Sequence, residues 1–250
     1  MTIVDVGGVA LDVEHTPGPG PALVFLHEGL GSIALWRSFP DDVRRAAGGR
    51  ELLVYSRQGY GHSAPASGPR PVSYMHDEAE EVLPALLGLV GLERPILVGH
   101  SDGASIALLY AGAGRSVRAL VLLAPHVFVE DRSIEGIEAA RRAYREGDLA
   151  TRLARHHDDP DATFRGWNDV WLSPEFRSWN IEDRLPAVTC PVLLVQGDAD
   201  PYGSVAQLDA IERGVDGPCR RVVLSGVGHA PHAEAPAETL ALVGEFVAGL

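Results

Sequence analysis

The sequence predicts an α/β fold: a mostly parallel eight-stranded sheet flanked by helices, with a small helical cap inserted in the second half of the chain. Three observations carry this reading. Short, almost continuous apolar runs alternate with longer helical stretches, the pattern of strands buried on both faces and joined by helical crossovers. The first two runs are separated only by Gly7-Gly8, which reads as a hairpin and therefore as an antiparallel edge. One interval, 125–186, contains no good strand and holds three of the four Trp residues.

The elements follow in order. Strands are expected at 4–6 and 9–13, paired as the hairpin, then at 22–26, 52–55, 96–98, 119–123, 192–195 and 221–224. Helices are expected at 35–47, 74–90, 104–111, 205–214 and 236–248. The core is then 1–124 together with 187–250, and the cap is 125–186. Trp167 and Trp171 lie four residues apart and share one helix face. That face packs the cap on the core, and its rings are candidates for lining a pocket. The run His156, His157, Asp158, Asp159 reads as a solvated loop rather than a metal site.

Composition narrows the chemistry. The chain has 250 residues, 46% hydrophobic and 22% charged, the balance of a globular protein with a sizeable core. Lysine is absent, so Schiff-base, pyridoxal-phosphate and P-loop chemistry are excluded. A formal charge of −13 disfavours nucleic acid as a partner, because such binding rests on neutralising phosphates. Two Cys residues exclude a disulfide framework or a Cys-rich metal centre. No apolar run reaches a membrane span, and the first residues lack a basic, apolar leader, which favours the cytoplasm. The expected partner is a small molecule, with no nucleic acid, membrane, cofactor or metal. The sequence is compatible with a homodimer.

The sharpest motif is Gly99-His100-Ser101-Asp102-Gly103, between the apolar run ILV and the helical run ASIALLYA. This G-x-S-x-G pattern in a strand–turn–helix setting describes a nucleophile elbow. The turn is tight, and glycine at either end removes side chains that would collide. A hydroxyl needs a base, and the base needs an orienting acid. Two later strands run into candidate loops: Gly197-Asp198-Ala199-Asp200-Pro201, and Gly226-Val227-Gly228-His229-Ala230-Pro231-His232. In chain order these supply Ser, Asp and His. Asp198 and Asp200 are both candidates for the acid, as His229 and His232 are for the base. A metal bound at His229-x-x-His232 would leave Ser101 unexplained.

With LVFLHEGLGS, YSRQGYGHS, LVGHSDG, LVQGDADPYG and GHAPHAEAP, nearly the whole chain resembles the α/β-hydrolase family. The resemblance implies Ser101 as nucleophile, Asp200 as acid and His229 as base. It implies an oxyanion hole made by the N–H groups of Asp102 and Gly29. Where the family usually reads His-Gly-x, this chain reads His27-Glu28-Gly29. The Ser-Asp-Gly elbow and Gly59-Tyr60-Gly61-His62-Ser63 are similar to valacyclovir-hydrolase-type enzymes. In those, the acid after the nucleophile recognises a substrate ammonium. Serine at the elbow argues against haloalkane dehalogenases and epoxide hydrolases, which carry Asp there.

The substrate-binding candidates are Glu28, Arg57, His126, Trp167 and Trp171. Glu28 and Asp102 would repel an anionic substrate unless they are paired. Arg57 could grip a substrate carboxylate or hold Glu28. His126 ends a strand where the cap begins. The expected reaction is hydrolysis of a small carboxylic ester, thioester or lactone through an acyl-enzyme. The alternatives are hydrolysis of a carbon–carbon bond in a product of aromatic ring cleavage and, on the same fold, a ligand receptor.

Overall fold

The computed structural model describes residues 2–250. Its strands are β1 Thr2–Val6, β2 Val9–Thr16, β3 Leu23–Leu26, β4 Leu52–Tyr55, β5 Ile96–His100, β6 Ala119–Leu123, β7 Val192–Gly197 and β8 Cys219–Leu224. They form one sheet in the order β1-β2-β4-β3-β5-β6-β7-β8. The hairpin pair β1·β2 and the pair β2·β4 are antiparallel, and every other neighbour is parallel. All eight expected strands are present.

The central strands are buried on both faces, which is why they read as unbroken apolar runs. Leu23, Phe25, Ile96, Val98, Val121 and Val195 join one apolar cluster, while their neighbours Val24, Leu26, Leu97, Leu120 and Leu194 join the other. Alternate side chains leave opposite faces of a strand, so a strand between two cores has no polar side.

The helices are α1 Phe39–Ala46, α2 Tyr74–Asp77, α3 Leu83–Val90, α4 Asp102–Gly112, α5 Asp131–Glu146, α6 Leu149–Leu153, α7 Pro160–Trp171, α8 Ala206–Gly214, α9 Pro231–Glu234 and α10 Pro236–Ala248. Two expected helices differ in detail. The stretch 35–47 is a 3₁₀ turn, Ile33–Trp36, followed by α1, with Arg37 between them at φ 53°. Pro40 has no N–H to offer the Trp36 carbonyl, so one helix cannot run through both. The stretch 74–90 is helical throughout but widens to a π turn at Glu78–Val82. Pro84 cannot bond to the Glu80 carbonyl, and the Leu83 N–H reaches back to Glu78 instead.

Between β6 and β7 the chain carries α5, α6, α7 and two 3₁₀ turns, Glu175–Ser178 and Glu182–Ala187. One isolated bridge, Phe128 to Asn180, is the only β pairing of this interval among the described residues. Its apolar residues Ile137, Phe164, Trp171 and Phe176 merge with the larger core cluster. Fully burying one such side chain contributes about 1.5–3 kcal/mol, so these contacts hold the segment on the sheet. No helix among the described residues is long and apolar enough to cross a membrane.

Candidate active site

The loops after β3, β5, β6, β7 and β8 meet at the carboxyl edge of the parallel strands, where ligand sites of open α/β sheets lie. Ser101 occupies the turn from β5 to α4 with φ 53° and ψ −118°, a conformation that non-glycine residues rarely adopt. The flanking glycines explain how the turn closes. A methyl group on Gly99 would run into the Gly103 carbonyl, and one on Gly103 would run into the backbone of Leu26 and His27. Helix α4 can therefore lie directly against the end of β3.

Asp200 follows β7 and His229 follows β8. The Ser101 Oγ lies 2.9 Å from His229 Nε2, and His229 Nδ1 lies 2.8 and 2.9 Å from the two Asp200 oxygens. The Asp200 carboxylate also accepts the Tyr202 N–H at 2.8 Å, the Gly203 N–H at 3.3 Å and an amide hydrogen of Gln196 at 3.2 Å. Burial alone would raise its pKa, but His229 and the Tyr202 N–H outweigh burial and hold it below the ordinary carboxylate value. The carboxylate thus stays ionised and fixes Nδ1–H as the His229 donor, which leaves Nε2 free to accept from Ser101.

The rival residues are engaged elsewhere. Asp198 accepts the Gly226 N–H at 2.6 Å and ties the two loops together. His232 is buried against Trp36 and Phe39, with ring centroids 4.8 and 5.5 Å away.

A cavity of about 100 Å³ opens beside Ser101 and His229. Gly29 and Asp102 both line it, and neither N–H is taken by a backbone acceptor among the described residues. Gly29 sits directly under the Trp167 indole, where any larger residue would collide with the ring nitrogen. Glu28, His126, Trp167 and Trp171 line the same cavity, as do Ser133, Ile137 and Tyr202.

Of the two roles open to Arg57, substrate ligand is corrected and holding Glu28 stands. Arg57 does not reach the cavity. It is 1% exposed, and its guanidinium donates to the backbone carbonyls of His27 and, at 3.0 Å, Glu28. It holds the loop that carries Gly29 from behind, so it has no face for a substrate carboxylate. The Asp102 carboxylate is engaged through Oδ2, while its buried Oδ1 has no protein partner. It is fully buried, accepts the Tyr74 hydroxyl at 2.6 Å and lies 3.9 Å from Arg57. The ammonium recognition implied by the valacyclovir-hydrolase resemblance has no exposed carboxylate at this position. Only the Asp102 N–H retains a role at the cavity.

This buried pair sets a large stability expectation. Arg57→Leu leaves the His27 carbonyl without its donor and Asp102 without its countercharge. It is expected to cost about 3–5 kcal/mol in urea unfolding. The double variant with Asp102→Asn should recover part of that loss, because the stranded charge is gone. Equal instability of the two variants would show that the carbonyl contacts, and not the charge, dominate.

His100 and Glu28 form a second pair that the sequence did not expose. His100 Nε2 faces the His229 carbonyl at 2.8 Å, and Nδ1 faces the Glu28 carboxylate at 3.4 Å. Both nitrogens face acceptors, and the Glu28 carboxylate favours the charged form of the ring. Burial opposes each charge, yet the pair overrides it: His100 is raised above the usual histidine value and Glu28 is lowered below the usual carboxylate value. A raised histidine contributes stability at low pH that is lost as pH rises through its folded pKa. A lowered carboxylate contributes stability above its unfolded pKa that is lost on strong acidification. The pair is therefore strongest in mildly acidic solution. The stability gap between the native protein and Glu28→Gln should be wide near about pH 5.5 and narrow by about pH 8.5. A gap that does not change with pH would show that His100 is uncharged.

His157, from the acidic-histidine run, accepts the Gly61 N–H through Nδ1 at 2.9 Å, and its Nε2 lies 3.0 Å from the Leu30 carbonyl. It clamps two loops beside the site. No group of three or more His, Cys, Asp or Glu residues among those described is arranged to hold a metal ion.

The comparisons with known proteins agree with this architecture. A family model described as alpha/beta hydrolase family matches residues 23–242. Epoxide hydrolase A of Mycobacterium tuberculosis (strain ATCC 25618 / H37Rv) is 25% identical over 99% of this chain and 97% of its own length. A putative carbamate hydrolase, RutD, of Klebsiella pneumoniae (strain 342) is 30% identical over 88% of this chain and 89% of its own. The human serine hydrolase BPHL is 26% identical over 66% of this chain and 59% of its own. With a family match over most of its length and the sheet order described above, the chain belongs to the alpha/beta hydrolase family.

Proposed function

We propose that the protein is a serine hydrolase that cleaves a small carboxylic ester, thioester or lactone through an acyl-enzyme. The observation that carries this reading is the unbroken hydrogen-bonded line from the Ser101 hydroxyl through His229 to Asp200. Ser101 Oγ attacks the carbonyl carbon as His229 Nε2 takes its proton. The N–H groups of Gly29 and Asp102 receive the charge that develops on the carbonyl oxygen. The tetrahedral intermediate collapses, and His229 returns the proton to the departing oxygen or sulfur. A water molecule, activated by the same nitrogen, then repeats the sequence on the acyl-enzyme and frees Ser101.

Three features support this choice over the neighbouring chemistries. An epoxide hydrolase is among the relatives, but serine in place of aspartate at the elbow suits acyl transfer rather than epoxide opening. A carbon–carbon hydrolase of ring-cleavage products would need a cation for the substrate carboxylate, and Arg57 is buried behind the loop. The cavity beside Ser101, about 100 Å³ and walled by Trp167 and Trp171, supports a small substrate group.

The deciding experiment pairs a fluorophosphonate label with p-nitrophenyl esters of graded chain length. Labelling at Ser101, a burst of nitrophenol and a short-chain optimum are expected. Labelling without ester turnover would move the search to thioesters and lactones, and no labelling would overturn the acyl-enzyme reading.

A further inference from the structure

The wall of the cavity includes a buried imidazole whose hydrogen-bonding capacity the protein leaves unused. His126 is 2% exposed and lines the cavity, its ring 5.3 Å from that of Trp171 and 5.7 Å from that of His229. Its carbonyl accepts the Ser105 hydroxyl at 2.6 Å, which anchors the backbone. Its ring makes no hydrogen bond within the protein, and Nδ1 is buried beside Gly203 with no partner. Burial and the neighbouring His229 push its pKa down to about 3, so the ring is neutral and carries a single hydrogen.

An unmet buried donor is costlier and rarer than an unmet acceptor. The hydrogen therefore belongs on Nε2, and the bare lone pair on the enclosed Nδ1. That leaves an N–H donor with no protein partner at the cavity wall. The other charges on this wall decide what it can receive. No Arg lines the cavity, whereas Glu28 and Asp102 both do, and Glu28 is held ionised by His100. An anionic ligand group would be repelled, whereas a neutral oxygen would not.

We propose that His126 is a specificity-determining residue whose unpartnered imidazole N–H recognises a neutral acceptor oxygen, such as a hydroxyl, ether or keto group, carried by the substrate in addition to its scissile carbonyl. This rests on the serine hydrolase reading and narrows it to oxygen-bearing esters, thioesters or lactones over their plain hydrocarbon counterparts. A site that hydrogen-bonds a substrate group rejects the analogue lacking it, because its own polar atom is then left unpaired.

The test measures a ratio of ratios, so that intrinsic ester reactivity cancels. Methoxyacetyl and butyryl p-nitrophenyl esters differ by one oxygen in place of a methylene on the acyl side. The butyrates of 2-methoxyethanol and of butanol make the same exchange on the leaving-group side. In one of the two series, the preference in kcat/KM for the oxygen-bearing member should fall about tenfold in His126→Phe. His126→Gln, which keeps an N–H near the Nε2 position, should restore part of the preference. It also provides a second variant if the phenylalanine protein folds poorly. The series that responds assigns the oxygen to the acyl or the alcohol portion. Unchanged ratios in both series would overturn the proposal while leaving the acyl-enzyme intact. Failure of the native protein to take the fluorophosphonate label at Ser101 would overturn the reading beneath it.

Discussion

Ser101→Ala is expected to abolish fluorophosphonate labelling and to lower kcat for a short-chain ester by about 10⁶-fold. The substitution removes one oxygen atom and little else. Ser101 is 7% exposed, its Oγ is bonded to His229, and its backbone N–H and carbonyl remain in the turn. Alanine tolerates the unusual φ no worse than serine does, so the thermal midpoint should move by only a few degrees. The small activity that survives would come from the oxyanion hole and from binding alone. Turnover retained within tenfold of native would mean that the attacking group lies elsewhere in the cavity.

Asp200→Asn is expected to lower kcat by about 10⁴-fold, with a different signature. The nucleophile is still present, so the label should attach, but slowly. Asparagine can present an amide hydrogen to His229 Nδ1 and so force the ring's hydrogen onto Nε2, where it cannot accept from Ser101. The Tyr202 and Gly203 N–H groups both donate to Oδ1, so an asparagine carbonyl oxygen there keeps them, while its amide would meet the Gln196 amide hydrogen in place of an acceptor. The pKa of Asp200 is lowered in the fold, so the native carboxylate adds stability above the ordinary carboxylate range and loses it on acidification. The native protein should accordingly lose its stability advantage over Asp200→Asn as pH falls through that range. A loss of activity smaller than tenfold would transfer the orienting role to another acid.

The sheet was legible because its strands are buried on both faces. Runs such as Leu23–Leu26 and Ala119–Leu123 have no polar side to obscure them. The elbow was legible for a steric reason: only glycine fits at 99 and 103, and that requirement leaves a mark in sequence. Helix interruptions were less legible, although Pro40 and Pro84 mark both places where the expected helices change form. The choice of Asp200 over Asp198 and of His229 over His232 came from resemblance. The structure supplies its physical basis, because Asp198 ties down a loop and His232 packs on aromatic rings.

The least legible features were partnerships between residues far apart in the chain. Arg57, at a strand end near the catalytic edge, read either as a substrate ligand or as a support for Glu28, and its terminal nitrogens go to the carbonyls of His27 and Glu28, about thirty positions away. Asp102 read either as an ammonium receptor or as a paired carboxylate, and Tyr74 and Arg57 beside it decide for the second. Glu28 and His100, 72 positions apart, give no sign of each other in the sequence. Local sterics and side-chain periodicity act over a few residues, so the sequence by itself determined the fold class, the order of the elements and the nucleophile turn. Charge compensation and hydrogen-bond satisfaction act through space, so only the tertiary structure decided which polar residues are consumed in holding the site together and which, like His126, remain free to meet a substrate.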